Sequence, residues 1–135
     1  MNIQRNIIMK SQKNKVDFSY QQKIAMMRIL LDIINADGII DVRETFFYNQ
    51  LIKQFEMSED DKEVVEKKNS LLALVQLYDM TDDQKDFFAN LMAKMIMIDE
   101  DVNYNEVAIY DLVQNVCKIS KSFEEQQKPD GLSYS

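Results

Sequence analysis

Apolar residues return every three or four positions through most of this chain. Ile24, Met27, Leu31 and Ile34 form one such stripe, the spacing of a buried helix face. Ser19 and Gln22 stand ahead of it at the spacing of a capping box, in which each side chain satisfies a free backbone N–H of the first turn. The helix should end near Asp37-Gly38, where glycine accepts a positive φ. Asp41 to Glu44 reads as a second capping box, followed by Phe47, Tyr48, Leu51, Ile52 and Phe55. Ser58-Glu59-Asp60-Asp61 opens a third helical segment, its acids favourably placed against the helix dipole. That segment runs toward Tyr78, with a break expected near Lys68-Asn69-Ser70. Thr81 and Gln84 form a further box before Phe87, Phe88, Leu91, Met92, Met95 and Ile96. Asn103 and Glu106 precede Ile109, Tyr110, Val113 and Cys117. The pattern predicts an all-α protein, a compact bundle of about six to seven helices.

The stripes repeat. Shifted by 62 positions, residues 19–58 lie on residues 81–120 without a gap, and seven of the 40 pairs are identical. Chance alone gives roughly two or three, so the aligned caps and stripes, a repeated physical pattern, weigh more than identity. The domain is therefore expected to span residues 17–120, as two helix–acidic loop–helix units with 59–80 inserted between them. Residues 1–16 carry no firm period and read as a basic arm or short helix. Residues 121–135, with Pro129-Asp130-Gly131 as turn chemistry, read as a polar, mobile tail.

Composition sharpens this picture. Two glycines and one proline in 135 residues leave few helix breakers. The apolar runs are shorter than the ~18 residues of a membrane span, and Ile7-Ile8-Met9 is too short for a signal peptide. The expected protein is cytoplasmic and not integral to a membrane. One cysteine, Cys117, excludes an internal disulfide, and its alignment with Phe55 places it in the core. There is no histidine, so Ser-His-Asp and Cys-His catalysis and the commoner zinc sites are excluded. No nucleophile–base pair stands out, and no enzymatic activity or nucleotide cofactor is expected. The net charge of −7 is unevenly spread: residues 1–28 hold six basic residues against one acid, and the remainder ten against 22. Such an acidic body repels nucleic acid and attracts cations and basic partners. The basic arm is either a solvated segment or a contact for an acidic surface.

The candidate chemistry lies where the repeat places two acidic junctions, Asp37, Asp41 and Glu44 in the first and Asp99, Asp101 and Glu106 in the second. Asp37, Asp41 and Glu44 match positions 5, 9 and 12 of an EF-hand loop, but Ile33 and Asn35 stand where its first two ligands belong. Helix capping, worth about 1 kcal/mol per cap, accounts for Asp41, Glu44, Asn103 and Glu106. If the halves pack face to face, however, the six carboxylates converge. Like charges that close need a cation or raised pKa values. All-oxygen ligands favour Ca²⁺ or Mg²⁺ over zinc.

Ala36-Asp37-Gly38, followed by Asp41 and Glu44 and then by Asp99 and Glu106, resembles the tandem acidic signature of the tellurite-resistance TerB-like family. The resemblance covers residues 19–120. The second motif departs from it, with Ile98-Asp99-Glu100 where the family usually has Ala-Asp-Gly. It implies a helical bundle of about seven helices with an acidic, cation-binding surface and a role in bacterial stress response. Partners of membrane-associated complexes are implied too, and a co-chaperone-like scaffold that binds no metal is the alternative. Asp37, Glu44, Asp99 and Glu106 are the matching positions. An acidic surface repels the tellurite oxyanion, so any resistance would act indirectly.

Overall fold

The computed structural model describes residues 16–128. The expectations for residues 1–15 and 129–135 lie outside them. Among the described residues there are seven helices and no strands: α1 (Tyr20–Ile34), α2 (Val42–Gln54), α3 (Glu59–Lys67), α4 (Ser70–Tyr78), α5 (Asp82–Met97), α6 (Tyr104–Cys117) and α7 (Phe123–Gln127). None is long and apolar enough to cross a membrane.

The helix starts follow the caps read from sequence. Ser19, Ser58 and Thr81 each form a complete capping box. The break at Lys68-Asn69 holds, and Asn69 caps α4 by accepting from Leu72 N. Arg28 fixes this corner. Its guanidinium donates to the carbonyls of Val65 and Glu66 at the end of α3 and pairs with Asp32, which accepts from Ser70 Oγ at 2.6 Å.

α1 is the central helix and packs against α2, α3, α4, α5 and α6. Eight of its 15 residues are buried, among them Met26, Met27, Leu30 and Ile33. α5 buries seven, including Phe88, Met92, Met95 and Ile96. Each such side chain removed from water contributes about 1.5–3 kcal/mol, offsetting the conformational entropy of ordering the chain.

The repeat is structural as well as sequential. Leu30 and Met92, Ile33 and Met95, Tyr48 and Tyr110, and Met57 and Ile119 are equivalent pairs, and all eight side chains are buried. The two units also end alike. Glu56 and Lys118 both adopt positive φ, 59° and 60°. Met57 N donates to Ile52 O at 2.9 Å, and Ile119 N to Gln114 O at 3.0 Å. This is the six-to-one bond of a Schellman turn at the end of α2 and of α6. Gln22 and Gln84, equivalent residues, hydrogen-bond to each other through their side-chain amides, at 3.1 and 3.4 Å. Such self-contact is what an approximate two-fold axis between the units requires.

Residues 121–128, expected to belong to a polar tail, hold a short helix instead. Ser122 caps α7 with a complete box, and the buried Phe123 ring packs edge-on against Tyr110, centroids 5.7 Å apart. Tyr110 Oη donates to Lys121 O at 2.7 Å.

Candidate functional site: a carboxyl pair buried between two loops

The acidic junctions begin as local loop chemistry. Asp37 Oδ1 accepts from Ile39 N at 2.9 Å and Asp99 Oδ1 from Asp101 N at 3.1 Å, the same side-chain turn in both units. Gly38, at φ +78°, supplies the left-handed step in the first loop. Asp41 then caps α2 by accepting from Arg43 N at 2.7 Å. Asn103 caps α6 by accepting from Asn105 N at 2.8 Å and Glu106 N at 3.2 Å.

The capping-box reading of Glu44 and Glu106 is overturned. Neither side chain returns to the backbone N–H of its N-cap, as Gln22 and Gln84 do. Both turn inward and are 2% exposed. The cause is tertiary: the two equivalent carboxyls are buried close enough for each to act on the other's pKa. Cross-loop bonds hold the junctions together. Asn103 Nδ2 donates to Asp37 Oδ2 at 3.2 Å, and Asn105 Nδ2 to Ala36 O at 3.5 Å. Arg43 bridges Asp41 and Asp99 at 2.9 and 3.5 Å.

Two carboxyls in contact away from water cannot both ionise cheaply. Burial is the main cause pushing Glu106 up, to about 8 from an ordinary 4.5, with the bond to Glu44 and the charges of Asp37 and Asp99 adding to it. Burial also raises Glu44, offset in part by the bond from Glu106. Both shifts favour a proton on the pair over two bare carboxylates. Asp41 is held below its ordinary value, chiefly by its bond with the Arg43 side chain. Among the described residues no donor outside the pair reaches the buried Glu106 Oε1, an atom that a proton on the pair or a bound cation would satisfy.

Of the six candidate acids, five belong to one neighbourhood. Glu44 and Glu106 form its centre, and Asp37, Asp41 and Asp99 act on it electrostatically. Asp101 is exposed and contributes its backbone N–H rather than its carboxylate. The donor set is all oxygen, as Ca²⁺ or Mg²⁺ prefers. It is not a ready-made cage, since among the described residues no three Asp, Glu or Cys side chains converge on a metal position. The Asp37, Asp41 and Asp99 carboxylates are already engaged by loop N–H groups, Asn103 and Arg43. Cys117 is fully buried, and burial raises its thiol pKa, so it packs the core as its alignment with Phe55 indicated.

No family model and no curated protein matches the chain. Among solved structures, it is similar to the crystal structure of PG1108, a protein of unknown function from Porphyromonas gingivalis W83. That match has a TM-score of 0.65 and 20% sequence identity, and covers 83% of this chain and 94% of the other. At that identity the likeness shows the fold alone, a small all-helical bundle.

Proposed function

We propose that this chain is a non-enzymatic, TerB-like stress-response module whose paired acidic loops take up a divalent cation, Ca²⁺ or Mg²⁺, in exchange for the proton between Glu44 and Glu106. The observation that carries this reading is the buried Glu106 Oε1, which no donor outside the pair reaches, while the charges of Glu44, Asp37 and Asp99 act on its carboxyl. A cation there would relieve the repulsion that the proton now relieves. Glu44 and Glu106 would supply its first ligands, and Asp37 and Asp99 would complete the set by exchanging their present bonds for the ion.

The test is thermal unfolding at pH 8 with excess Ca²⁺ or Mg²⁺ and again with EDTA. An ion at 100 times its Kd adds about 2.7 kcal/mol of stability. Glu106→Gln and Asp99→Asn should abolish that gain. A melting temperature that responds to neither ion rejects the cation and leaves a metal-free scaffold for a basic protein partner. The loop carboxylates already engaged by Arg43, Asn103 and backbone N–H groups favour that second reading.

A further inference from the structure

α4 is apolar almost all round (SLLALVQLY), yet only one side of it is covered. Ala73 and Leu77 are buried beneath it, whereas Leu71, Leu72, Val75 and Tyr78 are 73, 58, 56 and 46% exposed. These four occupy a stripe about 120° wide, at ~100° per residue, the breadth of a core-facing helix surface. A contiguous apolar face of this kind marks a binding surface.

Three observations select its occupant. First, the position of the chain: Asp17 O accepts from Gln84 Nε2 at 2.8 Å, and the next residue, Lys85, lies over the Tyr78 ring, 5.3 Å from its centroid. Asp17 thus stands beside the first turn of α5, where the exposed stripe of α4 ends. α4 extends from Tyr78 to Leu71 over only ~10 Å, well within the reach of fifteen residues. Second, charge. Residues 1–15 carry Arg5, Lys10, Lys13 and Lys15 and no acid. Asp79, Asp82 and Asp83 stand exposed at the Tyr78 end, and none forms an ion pair among the described residues. Third, order along the chain. The lysines lie nearest the domain, opposite those acids, and Ile3, Ile7 and Ile8 lie farther out, where the leucines and valine are.

We propose that the basic N-terminal segment, residues 1–15, covers the exposed face of α4 in its own chain, with its lysines over Asp79, Asp82 and Asp83 and its isoleucines against Leu71, Leu72 and Val75. Tethering favours this occupant over a second copy, because a short tether sets an effective concentration on the order of millimolar.

Site-directed cross-linking of the full chain tests this. Cysteines are placed at Ile3, Ile7 or Ile8 and paired with Val75→Cys or, as a control on another exposed surface, Lys94→Cys. The buried Cys117 stays out of reach of mild oxidation. Docking in cis gives an intrachain disulfide with Val75→Cys in at least one register, about tenfold or more above the Lys94→Cys yield at equal effective concentration, and a lower yield at high salt. Covalent dimers through Val75→Cys overturn the proposal in favour of a second copy. Equal yields at the two positions overturn it outright. Hydrogen exchange is the second measurement: Val75→Asp should deprotect peptides from residues 1–15, and no change there also overturns the proposal.

Discussion

Stability should fall as pH rises through neutrality, and the Glu44–Glu106 pair sets both the window and the sign. In the folded chain the Glu106 carboxyl is held up to about 8, against an ordinary 4.5. Between those values the folded state binds more protons than the unfolded state, so unfolding free energy decreases with rising pH. The stabilisation is complete below about pH 4.5 and is lost as pH climbs through about 8. Each tenfold change in proton affinity carries about 1.4 kcal/mol. Allowing for loop relaxation, the pair withdraws on the order of 2–4 kcal/mol across the window, or roughly 10 °C in Tm for a domain of this size. The absence of histidine removes the side chain that ordinarily titrates across this window. Glu106→Gln replaces the shared proton by an amide N–H that can donate to Glu44 at any pH. Its Tm between pH 5 and 8 should be nearly flat, close to wild type at pH 5 and above it at pH 8, in EDTA throughout. Parallel curves for the two proteins would refute the proton-sharing argument. So would a Glu106→Gln protein destabilised equally at both ends.

Two further predictions concern the helix ends. Glu56→Gly and Lys118→Gly relieve positive φ at equivalent turns and should each stabilise by about 0.5–1 kcal/mol. Their effects should add in a double variant under chemical denaturation, because the two turns are separate sites. Tyr110→Phe removes the bond to Lys121 O and should cost about 1–2 kcal/mol, with earlier loss of protection in α7 on hydrogen exchange.

Local rules and tertiary facts were not equally legible. Ser19, Ser58 and Thr81 cap their helices as their spacing indicated, because a capping box is closed within four residues. The 62-residue register was legible too, since stripes and caps repeat whatever the packing. Glu44 and Glu106 misled for the same reason. They stand three residues after a good N-cap, and nothing local distinguishes a glutamate that returns to the backbone from one that turns inward to a distant partner. α7 was hidden in a polar stretch because its one anchor, Phe123, packs on Tyr110 thirteen positions earlier. The bare side of α4 was invisible in a segment apolar all round, where periodicity has no contrast to report. The convergence of the acids was conditional on the halves packing face to face; five of the six joined, and Asp101 stayed outside.

The approximate two-fold has a chemical consequence. A residue on such an axis must face a copy of itself, so its chemistry must be self-complementary. An amide passes that requirement unaided, since Gln22 and Gln84 each offer a donor and an acceptor to the other. A carboxylate fails it, because two acceptors face each other with nothing between. Two equivalent glutamates that face each other are therefore eased by one positive species between them, and a proton is the smallest such species. The charge state of that pair is then a property of the interface between the halves rather than of either half.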